Sequence, residues 1–396
     1  MIKNFNIKSI DDVEIKDKKV LLRVDFNVTR NDDLSISDDA RIVQALPTIK
    51  YLLKNNNKLI LISHLGQPEK KDSNYSLKHV ANRLRLYLPK CKVRLIDDFL
   101  SSSFASQDTN EILILENIRF YPEEKDNNQQ FAKKLAGLAE VYVNDAFGVC
   151  HRKDASVVSV PQYIPSYAGL LLKKEIEAIS TILDNPQKPF VAIVGGAKIK
   201  TKINLLEKIM DIADYILVGG ALANNFLLAY GLEMGTSKVE IDEVDVAKKI
   251  LSLASKKNVT FVLPKDVIVT DLKKNNSESK MVKVNEIPKH LAAVDIGPQT
   301  EAEFGTYIAN AKTIVWNGPV GYCDNKRFCL GTEFIYYSIT KNQTAFSIVG
   351  GGDTLAAISH EEYLGKISHL STGGGAMLEF IEKGTLPGIE ALRNNS

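Results

Sequence analysis

Four basic or potentially basic side chains in the first half of this 396-residue chain, Arg41, His64, Arg119 and Arg152, fall at or just after the ends of apolar strand-like runs or at a helix start. Arginine's planar fork binds carboxylate and phosphate through paired hydrogen bonds, so a set of such groups suits a small anionic ligand. One such arginine alone is more often half of a surface ion pair, and one buried histidine is more often a hydrogen-bonded core residue; the reading rests on the set. Asp25 and Asn27, at the end of Leu21-Leu-Arg-Val-Asp25-Phe26-Asn27, are placed to hold hydroxyls between the cations. The second half grips differently. Its runs end in glycines: Val191-Ala-Ile-Val-Gly-Gly196, Ile216-Leu-Val-Gly-Gly220, Ser347-Ile-Val-Gly-Gly-Gly352 and Leu370-Ser-Thr-Gly-Gly-Gly375. Glycine lets backbone N–H groups approach a phosphate closely at a helix start. Lys198 and Lys202, four apart beside the first of these turns, are expected on one helix face as point charges for phosphates in transfer. Asp353 in Gly350-Gly-Gly-Asp353-Thr354 adds a carboxylate of the kind that, with phosphates, holds Mg2+; a helix N-cap is the plainer role for it. These features indicate a Mg-nucleotide site in one half and a small polar anion site in the other.

The elements that must position these residues are legible as alternating apolar runs and helix-period segments, the rhythm of βαβ units and parallel sheets. In the first half the pattern predicts strands near 19–25, 58–63, 92–96, 112–116 and 141–144, with helices near 39–55, 76–88 and 127–139. In the second half it predicts strands near 190–194, 215–218, 259–263, 313–316, 346–349 and 368–371. Helices are expected there near 201–211, 221–229, 242–256, 299–310, 332–340, 354–359 and 375–382. Apolar residues at helical spacing from Leu171 to Leu183, ended by Asn185-Pro186, predict a helix joining the halves. The Asn/Ser-rich stretch Lys273–Lys280 reads as a surface loop. In open α/β sheets ligands bind beyond the carboxyl ends of the strands, where every cluster named above falls.

A chain of this length exceeds the usual size of one core, so two domains are expected. With 44% hydrophobic residues, 25% charged residues and a net charge of +2, nothing in the composition marks a nucleic-acid binder. No apolar run is long enough for a membrane span, and the N-terminus lacks a secretory core, so a cytoplasmic location is expected. Cys91, Cys150, Cys323 and Cys329 form no metal-ligand spacing, and reduced thiols without structural zinc are the expectation.

Nine motifs extend the argument: Arg23-Val-Asp-Phe-Asn-Val28, Ser63-His-Leu-Gly66, Glu116-Asn-Ile-Arg-Phe120, Asn144-Asp-Ala-Phe-Gly148, His151-Arg152, Gly195-Gly-Ala-Lys198, Val315-Trp-Asn-Gly-Pro-Val-Gly321, Gly350-Gly-Gly-Asp-Thr354 and Ser371-Thr-Gly-Gly-Gly-Ala376. In content and order, over essentially the whole chain, they resemble the phosphoglycerate kinase family. The resemblance implies an α/β fold of two doubly wound parallel-sheet (Rossmann-like) domains joined by a helix, with an open cleft between them. It implies an N-terminal 3-phosphoglycerate domain over 1–168, an interdomain helix over 169–185 and a nucleotide domain over 186–380. A C-terminal segment, 381–396, returns to the first domain. The implied reaction is reversible phosphoryl transfer between 1,3-bisphosphoglycerate and ADP, giving 3-phosphoglycerate and ATP, with Mg2+, in a monomer that closes about hinges near Glu175 and the returning segment. No nucleic acid or membrane partner is implied. Triose contacts carried over are Asp25, Phe26, Asn27, Arg41, His64, Leu65, Gly66, Gln67, Arg119 and Arg152. Nucleotide contacts are Lys202, Asn317, Asp324, Gly351, Gly352, Asp353 and Thr354, with Asp353 at the metal. Arg41, Lys198, Lys202 and the N–H groups of Gly352 and Gly375 would face the transferring group.

Three positions depart from the family's pattern. Gln67 stands where relatives carry Arg, which removes one cationic contact to the triose phosphate. Asp324 stands where Glu is usual, one methylene shorter toward the nucleotide sugar. Thr29 replaces the usual Pro. Two other classes compete. A Rossmann-type nicotinamide dehydrogenase would want G-x-G-x-x-G, which is absent, and calorimetry with NAD discriminates it. A binding protein on a retired kinase scaffold, suggested by Gln67 and Asp324, would show no turnover with ATP and 3-phosphoglycerate.

Overall fold

The computed structural model describes residues 5–101, 107–108, 110–274, 277–358 and 361–393. The chain divides into two compact units, residues 1–177 with 385–396 and residues 178–384.

The first unit is built on a six-stranded sheet. Its strands are β1 (Lys19–Arg23), β4 (Lys58–Ile62), β5 (Lys92–Ile96), β6 (Glu111–Leu115), β7 (Val141–Asn144) and β8 (Ser166–Ala168), while β2 (Thr29–Arg30) and β3 (Ile36–Asp38) form a small hairpin apart from it. The sheet order is β5-β6-β4-β1-β7-β8 and every pairing is parallel. Parallel strands need long crossovers and are covered on both faces, so their cores read as unbroken Leu, Ile and Val. β6, Glu-Ile-Leu-Ile-Leu, is buried at every position. Helix α1 (Ala40–Lys54) turns Ile42, Ala45, Leu46, Ile49 and Leu52 onto the sheet, and α2 (Lys78–Tyr87) adds Val80, Ala81 and Leu84. Short helices α3 (Pro122–Lys125) and α4 (Gln129–Ala136) follow β6.

Helix α5 (Leu170–Asp184) begins under a buried carboxylate. Asp145, just past β7, accepts the N–H groups of Leu171 at 2.9 Å and Leu172 at 3.2 Å, satisfying donors that a first helical turn leaves without partners. Burial pushes the Asp145 carboxyl up to about 6, against these hydrogen bonds.

The second unit holds β9 (Phe190–Val194), β10 (Tyr215–Val218), β11 (Thr260–Val262), β15 (Thr313–Asn317), β16 (Phe346–Gly350) and β17 (His369–Ser371) in a parallel sheet of order β11-β10-β9-β15-β16-β17. Helices α6 (Ile203–Ile209), α7 (Gly220–Ala229), α8 (Val244–Lys256), α9 (Pro298–Asn310), α10 (Leu330–Lys341), α11 (Gly352–Ala357) and α12 (Gly374–Lys383) alternate with the strands. An antiparallel sheet, β13-β12-β14, is formed by β12 (Asp266–Thr270), β13 (Ser279–Lys283) and β14 (Ala292–Ile296). The loop expected over 273–280 is shortened at its end: 273, 274, 277 and 278 are irregular, residues 275 and 276 lie outside the described set, and Ser279 and Lys280 begin a strand. Four of the five β13 residues are exposed, so the strand is held by backbone pairing to β12 and carries no buried face for a pattern to announce.

The last helix, α13 (Pro387–Arg393), belongs to the first unit. The Gly388 N–H donates to the Cys150 carbonyl at 2.9 Å, and Ile389 and Leu392 are buried. Among the described residues no helix is long and apolar enough to cross a membrane.

Candidate active site

In the first unit, the chain beyond β1 and β4 brings the expected anion-binding residues together. Asp25, nearly buried, pairs with Arg41 at the start of α1 and lies 3.8 Å from His64 Nδ1. Burial is the largest influence on the Asp25 carboxyl and would raise it, but Arg41, with His64, Arg23 and the Asn27 N–H adding to it, holds the group down at about 2. Burial drives the His64 imidazole well below its usual range, reinforced by Arg23, Arg119 and Arg41 against the opposing pull of Asp25, so it is neutral at neutral pH. With His64 neutral, Arg41 is the stronger of two fixed positive charges acting on Asp25, the other being Arg23.

Asn27 Oδ1 accepts the Gly66 N–H at 2.8 Å and Arg119 Nη1 donates to the Gly66 carbonyl at 2.7 Å, fixing the turn after β4. Gly66 adopts φ 63°, a left-handed conformation that favours glycine. The Arg119 guanidinium is lowered to about 10 by burial first and then by Arg152, so two arginines crowd together, with Asp154 3.8 Å from Arg119. Arg119 Nε, Arg119 Nη2 and Arg152 Nε are buried without a hydrogen-bond partner. Donors stranded in this way suit an anionic ligand with several acceptors.

Phe26 and Leu65 do not present side chains to this site. Both are packed in the apolar core, while the Phe26 N–H donates to Ser63 Oγ at 2.8 Å and the Leu65 carbonyl accepts from Asn117 Nδ2 at 2.7 Å. Gln67 is exposed.

Sequence reasoning missed the layer beneath. Arg23 is fully buried and donates through Nε to Ser156 Oγ at 2.9 Å, and Ser156 in turn is held by Glu124, whose burial raises its carboxyl. The available signal was a charged residue inside the apolar run of β1.

In the second unit the glycine turns gather at the ends of neighbouring strands. A Cβ on Gly195 would overlap the Gly318 and Pro319 carbonyl oxygens, and one on Gly374 would sit 2.7 Å from Gly351 Cα. Gly351 has φ 111°, and Gly352 and Gly375 face open space. Lys202 Nζ donates to Asn317 Oδ1, whose amide donates to the Gly350 carbonyl at 2.8 Å. Thr354, fully buried, receives the Gly318 N–H at 2.8 Å and donates to the Gly350 carbonyl at 3.1 Å. Thr354 thus ties β15 to β16 with its side chain turned inward.

Lys198 and Lys202 do not share a helix face. Both precede α6, in turns where the Ile199 N–H is taken by Glu240 at 2.6 Å and the Lys202 N–H by the Ile199 carbonyl at 2.8 Å. Lys198 is exposed, whereas burial lowers the Lys202 ammonium to about 8 despite the Asp353 charge that favours it. Asp353 is not the cap of α11; Gly351 takes that position and Asp353 sits exposed in the first turn.

A cavity of about 560 Å3 in this unit is lined by Gly196, Gly220, Asp324, Asp353, Asn224 and Asp295, among others. Asn224 and Asp295 were missed by sequence reasoning, because neither lies in a glycine turn. Burial raises the Asp295 carboxyl to about 7, although it accepts the Ile296 and Gly331 N–H groups at 2.9 and 3.0 Å. Cys323 and Cys329 form a disulfide that closes the loop carrying Asp324, which corrects the expectation of reduced thiols for this pair; Cys91 and Cys150 are free. The two sulfurs come together because the turn from Gly321 folds back onto the start of α10, a closure that six-residue spacing does not signal.

Among the described residues no group of three or more His, Cys, Asp or Glu side chains could hold a metal. A cation bound by one carboxylate plus ligand phosphates needs no such cage, and exposed Asp353 beside the open glycine turn fits that arrangement.

A family model described as phosphoglycerate kinase matches residues 10–384. The chain is 44% identical to the phosphoglycerate kinase of Dictyoglomus turgidum over 392 residues, 98% of each chain. It is 41% identical to that of Pelotomaculum thermopropionicum over 389 residues, 97% of this chain and 98% of the relative. The solved structure of phosphoglycerate kinase from Coxiella burnetii superposes with a TM-score of 0.88 at 40% identity, covering 98% of this chain and all of that one. The enzyme from Pyrococcus horikoshii gives 0.85 at 30% identity, covering 98% of both chains.

Proposed function

The chain belongs to the phosphoglycerate kinase family, and we propose how its residues divide the reversible transfer of a phosphoryl group between 1,3-bisphosphoglycerate and ADP, which yields 3-phosphoglycerate and ATP. The observation that carries this division is the pairing of two chemically distinct grips. Buried arginine donors without partners stand in one unit, and glycine turns around a half-buried lysine stand in the other.

In this reading Asp25 and Asn27 hold the triose hydroxyl, neutral His64 supplies an uncharged contact, and Arg119 and Arg152 take the phosphate that stays. Gly66 shapes the turn beside them, while Phe26 and Leu65 anchor it to the core. Arg41, held by Asp25, faces the transferring group. Lys202, kept in place by Asn317, and exposed Lys198 face the same group from the nucleotide side, with the Gly352 and Gly375 N–H groups as fixed dipoles. Thr354 keeps Gly351 and the strand ends in register, and Asp324 reaches the nucleotide sugar. Asp353 would hold Mg2+, which when bound neutralises phosphate oxygens of the nucleotide.

A terminal oxygen of ADP attacks the phosphorus of the acyl phosphate as the bond from phosphorus to the C1 carboxyl oxygen breaks, and that oxygen leaves within a carboxylate. No proton has to be removed by a side chain, so the work is positioning and charge stabilisation. Ligands gripped by separate units must be brought in line, and we infer hinge closure near Glu175 and the returning C-terminal segment. X-ray scattering should show a smaller radius with both substrates than with neither; equal radii would refute closure.

We take the working form to be a cytoplasmic monomer, which light scattering on the eluted protein would check. The reaction is tested by a coupled assay with ATP and 3-phosphoglycerate. Turnover that requires both is expected, and none at saturating substrate would favour a retired scaffold.

Lys202 sets a pH dependence. Its ammonium is charged below about pH 8 and neutral above it. Since kcat/KM reports the free enzyme, its value for the nucleotide should fall progressively above that pH. The kcat profile should stay flat to higher pH, because bound phosphates favour the charged form. Lys202→Arg should abolish the drop in kcat/KM; a drop that persists would assign it to another group.

A further inference from the structure

We propose that Arg30 supplies the cationic contact to the non-transferred phosphate of the three-carbon substrate that Gln67, being neutral, cannot make. The proposal rests on the reading that this substrate binds among Asp25, Asn27, Arg119 and Arg152.

Gln67 follows a turn whose Gly66 is held by two residues of that site: Asn27 holds the Gly66 N–H and Arg119 the Gly66 carbonyl. The Tyr75 ring closes over the same turn, so near that a Cβ on Gly66 would overlap it. Asn117 Nδ2 fixes the contact by donating to both the Leu65 carbonyl at 2.7 Å and the Tyr75 carbonyl at 2.9 Å. Arg30 lies over this ring, its guanidinium carbon 5.6 Å from the centroid, and its Nη1 donates to the Asn74 carbonyl. The guanidinium is therefore one aromatic ring away from the Gly66–Gln67 turn. The hairpin that carries it begins two residues after Asn27 and leads directly to Arg41.

The charge on Arg30 is also uncommitted. Both of these partners are neutral, and among the described residues it enters no ion pair. Asp32, Asp33 and Asp72 line a shallow cavity beside it, but none of the three pairs with Arg30; Asp33 accepts from Ser35 and Asp72 from the Asn74 N–H. A half-buried guanidinium held by a carbonyl and a ring keeps its remaining donors in a fixed fork, which matches phosphate geometry. Lys153, exposed beside Arg152, is the competing source of charge, but no such clamp positions it.

The test measures KM for 3-phosphoglycerate and for ATP in Arg30→Met, Arg30→Lys, Gln67→Arg, the Arg30→Met/Gln67→Arg double variant, Lys153→Met and Arg119→Met. Loss of one charge-assisted contact should raise the 3-phosphoglycerate KM of Arg30→Met about tenfold, with the ATP value changed less than about twofold. Arg30→Lys should recover part of the loss. Gln67→Arg alone should shift KM less than about threefold, but in the double variant it should restore KM to near the parent value, since a charge on either side of the ring serves the same phosphate. An unchanged KM in Arg30→Met, an equal rise for ATP, or no suppression by Gln67→Arg would overturn the proposal, and a rise confined to Lys153→Met would transfer the role there. Arg119→Met separates the two failures: if it raises KM while Arg30→Met does not, the site stands and Arg30 falls. If neither moves KM, the site reading falls too. Should Arg30→Met fail to fold, Arg30→Gln takes its place, with thermal unfolding compared to the parent.

Discussion

Arg41→Met should lower kcat by roughly three orders of magnitude, the scale on which arginines facing a transferring phosphoryl group act. The structure supplies a further reason for a large effect. Arg41 is the largest of the influences that keep nearly buried Asp25 ionised, with its carboxyl at about 2. Without it, burial pushes Asp25 upward, so the carboxylate and the arginine are disabled together. Arg41→Lys should recover little, because an ammonium cannot reproduce a fork shared between a carboxylate and a phosphate. Steady-state kinetics in both directions, with circular dichroism melts to exclude unfolding, read the result. A loss of less than about tenfold would place Arg41 outside the transfer step. The Arg41→Met/Asp25→Asn double variant should be far less impaired than the product of the single losses, because the two side chains form one unit.

Lys202→Met should cost about two to three orders of magnitude in kcat, the range found when one preorganised group facing developing charge is removed. Lys202 is half-buried, and the burial lowers its ammonium, so the charge is screened less than on an exposed lysine. Its anchor Asn317 is held by the Gly350 carbonyl, so the variant leaves the glycine turn tied to β15 through Asn317 and Thr354. Nucleotide affinity should therefore fall much less than kcat, which isothermal titration with ATP would show. A parallel loss of affinity and rate would make Lys202 a ground-state binder. Lys198→Met is the informative companion. Lys198 is exposed and has no comparable anchor, so a smaller loss is expected.

The sequence was most readable where burial is complete. β6 and β9 are buried at every position, and such runs can be located from hydrophobicity alone. Strand ends followed, and with them Asp25, Asn27, His64 and the glycine turns. Legibility failed where stability comes from pairing instead of burial. β13 is solvent-facing and joins its sheet through backbone bonds, so an Asn/Ser-rich stretch beside it read as loop. It failed again at Lys198 and Lys202, where a spacing of four suggested a helical turn. Glu240, 41 residues further along the chain, binds the Ile199 N–H, and the helix starts only after Lys202. The buried pair beneath the anion site, Arg23 and Glu124, is joined through Ser156, a contact between three distant segments. Cys323 and Cys329 carried no recognised spacing, and their bond depends on how the Asp324 loop folds back.

The first unit closes its core with Ile389 and Leu392, which the ribosome adds only after the whole second unit, itself one continuous stretch. Order of synthesis therefore reverses order of completion. At about 5–20 residues per second, the roughly two hundred residues of the second unit occupy on the order of 10–40 s. During that interval the second unit can fold outright, while the first waits with the face that receives α13, including Val157 and Cys150, uncovered. A nascent chain arrested before Pro387 should resist protease across 178–384 and be cut in its N-terminal third. The protein's earliest-made half would be its last to become safe.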